Sequence, residues 1–295
     1  MLTEWYDFVS NERFLANKHL WAPALRGGRW YLVDMDTSEV FCKQYYASKP
    51  EYMGESLIKV TLSNGNCAII DYDTGEKILD SFKNIVLCPF NQQAFVVTSH
   101  DDKKGLATFD GKILTDCEYD FIVYIEKANC YKVTKDNKVG YIDLEGRKVI
   151  PCKYEDITAL SLDYAIVQAD KKKLGVYSLK ARSLICEPMY AAIENFVEDY
   201  ALVQDFNGNW GAINKDGFEK VPCKYRAMRP FSNGFAAVTR NNTWGYVDFM
   251  GIEVTIFIYD SASDVNEEGV AEVSINCGDG TIIPGLRAHR TELHP

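Results

Sequence analysis

Cys223-Lys-Tyr-Arg-Ala-Met-Arg-Pro-Phe-Ser-Asn-Gly-Phe-Ala-Ala-Val-Thr-Arg-Asn-Asn-Thr-Trp-Gly-Tyr-Val-Asp-Phe-Met-Gly251 contains two short runs, Phe235-Ala-Ala-Val238 and Gly245-Tyr-Val-Asp248, on either side of the polar tip Arg240-Asn-Asn-Thr243. Such runs predict the two strands of a hairpin, and Asp248-Phe-Met-Gly251 predicts a turn into a further strand. The pattern recurs along the chain. Gly245 has equivalents at Gly105, Gly140, Gly175, Gly211 and Gly280, separated by steps of 35, 35, 36, 34 and 35 residues. Two earlier copies, Trp30-Tyr-Leu-Val-Asp34 and Cys67-Ala-Ile-Ile-Asp71, are read as having lost the glycine, with steps lengthened to 37 and 38.

Two further landmarks keep the same register. Tyr119, Tyr154, Tyr190, Tyr225 and Tyr259 step by 35, 36, 35 and 34, with Phe82, Tyr46 and Tyr6 as looser equivalents. Val60, Val97, Val133, Val167, Val203, Val238 and Val273 close the strand before each anchor. Each unit therefore reads as a tyrosine-bearing segment, an Ala-x-Val strand, a Gly-x-Val-Asp strand and a strand such as Lys148-Val-Ile150 or Glu219-Lys-Val221. The last is expected to end at Pro151 or Pro222, where proline removes a ladder donor.

Strands this short cannot bury a face alone, so each unit must pack on its neighbours. The expected fold class is all-β: one repeat domain spanning 1–295, made of tandem units of about 35 residues. Its boundaries are 1–45, 46–81, 82–118, 119–153, 154–189, 190–224, 225–258 and 259–295. The first unit is read as degenerate, with an insertion around Asn17 to Arg29. The last runs through Thr281-Ile-Ile283 into Pro284 and a polar tail. Eight short-stranded units fit a β-propeller-like ring, and an open β-solenoid or superhelical array is the alternative.

Composition agrees. A hydrophobic share of 47% allows a core, and an aromatic share of 13%, with 18 Tyr and 15 Phe, favours strands. A net charge of −10 argues against a phosphate-tracking surface, so no nucleic-acid partner is expected. Lys103-Lys104 and Lys171-Lys172-Lys173 are expected to be solvated tips. Nine cysteines without a Cys-x-x-Cys pair, and no basic-then-apolar N-terminal stretch, lead to an expected cytoplasmic location with reduced thiols. No apolar run is long enough to span a membrane.

Trp210-Gly211 and Trp244-Gly245, with Tyr246-Val-Asp-x-x-Gly251 and the linker Val149-Ile-Pro-Cys-Lys-Tyr-Glu155, resemble the WG-repeat family of largely bacterial proteins. The resemblance extends over nearly the whole chain, with Asn66, Lys104, Val139 and Leu174 standing where the tryptophan would be. It implies a repetitive, propeller-like β-structure with a binding or scaffolding role, and supplies no catalytic residues.

No residue is expected to act in catalysis, to bind a metal or to hold a cofactor. His19, His100, His289 and His294 read as exposed loop residues. Cys117, Cys152 and Cys223, each two residues before the tyrosine landmark, sit in different units, too far apart to share an ion, and read as small buried side chains. Asp34-Met-Asp36 and Asp71-Tyr-Asp73-Thr-Gly75 resemble calcium loops, but only Glu76 follows as a further ligand, so a turn in which aspartate bonds the backbone is expected. Gly27-Gly28 between Arg26 and Arg29 reads as an insertion loop rather than an anion nest.

The regular framework with varying tips, Ser99-His-Asp-Asp102, Asp205-Phe-Asn-Gly208 and Arg240-Asn-Asn-Thr243, predicts a non-enzymatic scaffold for a protein partner. The binding residues, the partner and the oligomeric state are left open. The alternative is a small-molecule or glycan receptor using its tyrosines in a central channel or concave groove.

Overall fold

The computed structural model describes residues 5–16, 18–54, 56–89, 94–275 and 286–287. Asn17, Cys277, the anchor Gly280, Thr281-Ile-Ile283, Pro284, His289 and His294 lie outside them. Among the described residues there is no α-helix, only strands and three short 3-10 turns. The chain divides into two compact units, Met1–Lys148 and Val149–Pro295.

In the first unit, His19–Arg26 pairs with Arg29–Asp34 along one edge and with Phe8–Val9 and Phe14–Ala16 along the other. The expected insertion is thus a regular hairpin. Gly27 and Gly28, at φ +57° and +76°, supply the two left-handed residues that a type I′ turn requires. Two complete antiparallel meanders follow. One is built from Glu51–Gly54, Leu57–Thr61, Cys67–Asp71 and Lys77–Phe82, the other from Asn84–Leu87, Ala94–Thr98, Lys104–Thr108 and Ile113–Tyr119. Phe121–Ile125, Cys130–Lys135 and Lys138–Ile142 begin the next.

The second unit repeats the plan in sheets 156–190 and 192–225, each with four strands in chain order. Sheet 227–259 has three strands, with its fourth segment held by the bridges Val247↔Glu253 and Trp244↔Tyr259. Short pairs follow among the described residues, Ser261–Ala262 with Val273–Ser274 and Val270–Ala271 with Leu286–Arg287. A four-stranded up-and-down sheet is the topology of a propeller blade.

Cross-strand register corrects the alignment of the early copies. The tyrosine landmark faces the residue before the anchor: Trp210↔Tyr225, Leu174↔Tyr190, Lys104↔Tyr119, Cys67↔Phe82 and Trp30↔Tyr46. Cys67, not Asn66, therefore holds the tryptophan position, and Trp30 holds it in the first sheet. The anchors there are Tyr31 and Ala68, one residue later than the sequence suggested. Val60 pairs with Ala68 as Val97 pairs with Gly105.

The prolines do not end their strands. Pro151 lies inside Lys148–Tyr154 and Pro222 inside Glu219–Tyr225. Between the pairs Ala212↔Val221 and Trp210↔Tyr225 the fourth strand advances four residues while the third advances two. Pro222 sits in that bulge, where its missing N–H costs no ladder bond. The bulge also explains the anchor glycine. A Cβ on Gly211 would overlap the carbonyl oxygen of Val221 and lie 2.8 Å from the nitrogen of Cys223.

The aspartate of Gly-x-Val-Asp makes the next turn. Asp248 Oδ1 accepts hydrogen bonds from the amides of Met250 (2.9 Å) and Ile252 (2.8 Å), and Asp143 Oδ1 accepts from Glu145 (3.1 Å) and Arg147 (2.8 Å). The glycine of that turn joins sheet to sheet. Gly217, at φ +83°, would carry a Cβ 2.6 Å from the carbonyl carbon of Ile185, in the fourth strand of the preceding sheet. Gly146 meets Leu114 in the same way in the first unit.

Side chains from neighbouring sheets close the core. Ile69, Ile85, Phe95, Val97 and Ala107 form one buried layer, and Val176, Tyr190, Ile193, Ala201, Val203 and Ile213 another. Full burial of such a side chain contributes about 1.5–3 kcal/mol. The tyrosine landmarks Tyr46, Tyr119, Tyr154, Tyr190, Tyr225 and Tyr259 are all buried.

Their hydroxyls are satisfied unequally. Tyr225 donates to Glu253 (3.0 Å), six residues before the next tyrosine landmark. For Tyr154 that position is Leu184, and its hydroxyl has no partner among the described residues. Tyr154→Phe is therefore expected to leave stability unchanged or raise it by up to about 1 kcal/mol, whereas Tyr225→Phe costs about 1 kcal/mol. Urea titration of the two variants checks the difference in sign.

Candidate interaction surface

Once the glycines, aspartates and tyrosines of the framework are assigned to turns and packing, the tips joining second and third strands remain as exposed positions that vary from unit to unit. In the second unit, Lys171 and Lys172 turn the chain at φ +62° and +61° and are exposed, as expected of solvated tips. Asn241 and Asn242, at φ +54° and +66°, make a type I′ turn. Asp205 Oδ1 accepts from the amides of Asn207 (2.9 Å) and Asn209 (2.8 Å), and this turn presents Phe206, 57% exposed.

In the first unit the tips are stitched together. His100 Nε2 lies 3.0 Å from Asn66 Oδ1 on the neighbouring tip. Lys103 Nζ donates to Asp120 Oδ1 (2.5 Å), and the Asp136 amide donates to Asp120 Oδ2 (3.1 Å). Lys104 Nζ donates to the Asp120 carbonyl oxygen (2.8 Å) and stands 4.9 Å from the centre of the exposed Phe121 ring. Lys103 and Lys104 are thus half-buried and engaged, contrary to the solvated tips expected, because the adjoining sheet brings Asp120 within reach. Together with Asp101, Asp102 and Asn137 these groups line an open cleft of about 580 Å³.

The ion pairs set the electrostatics. The hydrogen bond and charge of Lys103 hold Asp120 below the usual carboxylate range, and the same hydrogen bond raises Lys103. Because the folded carboxylate is depressed, its contribution is fully present above the unfolded value near pH 4 and is lost as pH falls through the lower folded value. Asp120→Asn is expected to flatten that part of the acid limb in denaturation midpoints measured from pH 6 to 2. An unchanged limb would show that the pair contributes nothing, as many exposed pairs do.

The other candidate positions fall into structural roles. Asp34 Oδ1 accepts from the amides of Asp36 (2.7 Å) and Thr37 (3.1 Å), and Asp71 Oδ1 from Asp73 (2.8 Å) and Thr74 (3.1 Å), the backbone turns anticipated from the sequence. His19 is not a loop residue. It opens a strand, and its Nδ1 lies 2.5 Å from Asp34 Oδ2, a pairing across the hairpin that linear spacing conceals. Burial pushes Asp34 up, but the turn amides and His19 outweigh it and hold the carboxyl below its ordinary value. Gly27 donates its amide to the Asp7 carboxylate (2.7 Å), so the anion at this glycine pair is the chain's own.

Cys117 and Cys223 are half-buried rather than buried. Each directs its Sγ to the carbonyl of the valine landmark in its own sheet, Val97 (3.8 Å) and Val203 (3.7 Å). Burial pushes the Cys223 thiol up to about 12. No group of three or more His, Cys, Asp or Glu residues among those described is placed to hold a metal ion. No described helix is long and apolar enough to cross a membrane. The burial of the tyrosines removes the observation on which a stacking receptor rested. Phe206 lies in the tip Asp205-Phe-Asn-Gly208 expected from the sequence, whereas the exposure of Phe121 is not legible there, since an exposed and a buried phenylalanine look alike.

The fold and surface define an all-β protein of tandem four-stranded sheets with exposed hairpin tips. The WG containing repeat family matches residues 140–172, 183–210 and 210–244, and the chain carries WG repeats over that stretch. No curated protein is similar to it in sequence. Among solved structures, it is similar to the computationally designed Ika8 protein at 14% identity, covering 93% of this chain and 95% of that one, with a TM-score of 0.29. BamB from Moraxella catarrhalis is similar at 10% identity, with 78% and 82% covered and a TM-score of 0.27. The C-terminal WD40 domain of Sif2 is similar at 8%, with 75% and 78% covered and a TM-score of 0.27.

Proposed function

We propose that the chain is a non-enzymatic scaffold of the cytoplasm whose hairpin tips bind another protein. The supporting observation is the division of labour between positions. The residues that recur are consumed by turns, bulges and sheet-to-sheet packing, and those that vary, including Phe206, His100, Lys171 and Lys172, stand at the tips. Rigid sheets presenting variable loops are how repeat folds bind partners. The acidic balance, −10, favours a protein partner over nucleic acid.

The test is affinity capture from the native cell with the full chain as bait, beside a variant carrying Phe206→Ser, Lys171→Glu and Lys172→Glu. The proposal expects one or more proteins retained by the first and lost with the second at unchanged melting temperature. Retention of the same proteins by both baits, or none above background, would remove its basis.

A further inference from the structure

Three Asn-Gly pairs, Asn64-Gly65, Asn207-Gly208 and Asn233-Gly234, stand in turns. Glycine has no Cβ to shield its amide, so its nitrogen can approach the side-chain carbonyl carbon of the asparagine before it. All three asparagines are exposed, and accessibility does not separate them. Their hydrogen bonds do.

At Asn64 and Asn207 the bonds stay within the turn. Asn64 Oδ1 accepts from the Asn66 amide (3.0 Å), and the Gly65 amide donates to the Leu62 carbonyl (2.9 Å). The Gly208 amide donates to the Asp205 carbonyl (3.1 Å), and the Asn207 side chain faces the Asp205 carboxylate. Asn233 is tied instead to two other segments of the second unit. Its Nδ2 donates to the Val265 carbonyl (2.7 Å), and the amides of Asn233 and Gly234 donate to the carboxylate of Glu198 in the preceding sheet (2.7 and 3.1 Å). A turn at a hairpin tip opens locally at little cost, whereas freeing Asn233 also breaks contacts between elements.

We propose that Asn64 and Asn207 are modification sites, at which the chain converts its own side-chain amide to a carboxylate, and that Asn233 is protected by its contacts with Glu198 and Val265. The following glycine nitrogen bonds to the asparagine Cγ, the Cγ–Nδ2 bond breaks, and ammonia leaves carrying the proton that the glycine amide gives up. Water then opens the resulting cyclic imide. Addition at Cγ yields aspartate, and addition at the main-chain carbonyl yields isoaspartate. At Asn207 either product places a new negative charge beside Phe206 and Asp205. Isoaspartate also lengthens the backbone by a methylene in a turn that Gly208 completes at φ +82°. The tip therefore changes as the chain ages. The inference does not depend on the tips binding a partner.

Peptide mass mapping of the full chain during incubation in mildly alkaline buffer tests it, with fragmentation to place each site. The expected result is a unit mass increase at Asn64 and Asn207 that accumulates at least about tenfold faster than at Asn233, the ratio that one or two extra hydrogen bonds to be broken give. In concentrated urea the three rates should converge, because the contacts that distinguish them are gone. The variant Glu198→Ala, with its fold confirmed by circular dichroism, should speed conversion at Asn233 and leave Asn64 unchanged. Folded-state conversion at Asn64 or Asn207 no faster than at Asn233, a rate order that persists in urea, or an Asn233 rate unmoved by Glu198→Ala would each overturn the proposal.

Discussion

Gly217→Ala is expected to destabilise the second unit by about 3 kcal/mol or more, among the largest effects of any single methyl in the chain. Two costs add. At φ +83° an L-residue is strained by about 1 kcal/mol, and the new methyl would overlap the Ile185 carbonyl and lie 2.6 Å from its carbon. That carbonyl belongs to the fourth strand of the neighbouring sheet, and a rigid, close-packed contact of this kind cannot yield without separating the sheets. Gly234→Ala isolates the first cost. Gly234 has φ +85° and nothing within 4 Å of a built Cβ, so it should lose only about 1 kcal/mol. Equal losses in urea titrations of the two variants would show that the turn glycine is needed for its dihedral angle alone.

Tyr225→Ala is expected to cost about 3–5 kcal/mol, the range for truncating a large buried aromatic. Tyr225 is 0% exposed, stacks on Phe257 with ring centres 6.1 Å apart and planes 8° from parallel, and bonds Glu253 through its hydroxyl. Glu253 also receives Lys224 Nζ (3.0 Å) and Arg240 (3.2 Å), so truncation leaves a cavity but not an unpaired carboxylate. The loss should therefore be mostly packing, with Tyr225→Phe recovering all but about 1 kcal/mol. A fluorescence-monitored denaturation series of wild type, Phe and Ala separates the two contributions. A Phe variant as unstable as the Ala variant would place the energy in the hydroxyl instead.

The repeat was legible because its strongest signals are backbone requirements. A glycine beneath a bulge, an aspartate that caps a turn and a glycine at positive φ each exclude most residues, so they mark the sequence at a fixed step. Packing positions mark it less well. The site facing the tyrosine landmark accepts Trp210, Leu174, Lys104 or Cys67, and without a glycine to follow it the first two copies were set one residue out of register. Pro222 was misjudged for a related reason. A proline ends a regular ladder, but a bulge needs no donor at that point, and nothing in the linear string distinguishes the two.

The surface was less legible than the frame. The Asx turns at Asp34 and Asp71 follow from local chemistry and were anticipated. The contacts of His19 with Asp34 and of Lys103 with Asp120 depend on which segments the sheets bring side by side. Local composition does not encode those juxtapositions.

The central claim is that each proline-bearing fourth strand continues past its bulge to bring the tyrosine opposite the residue before the anchor glycine. Cross-strand amide and α-proton NOEs in sheet 192–225 of the isotope-labelled full chain test it most directly. Contacts between Trp210 and Tyr225, together with Ala212 and Val221, and a gap across Pro222 to Lys224, are the expected result. A strand that stops at Val221, with Tyr225 showing no NOE to Trp210, would contradict it.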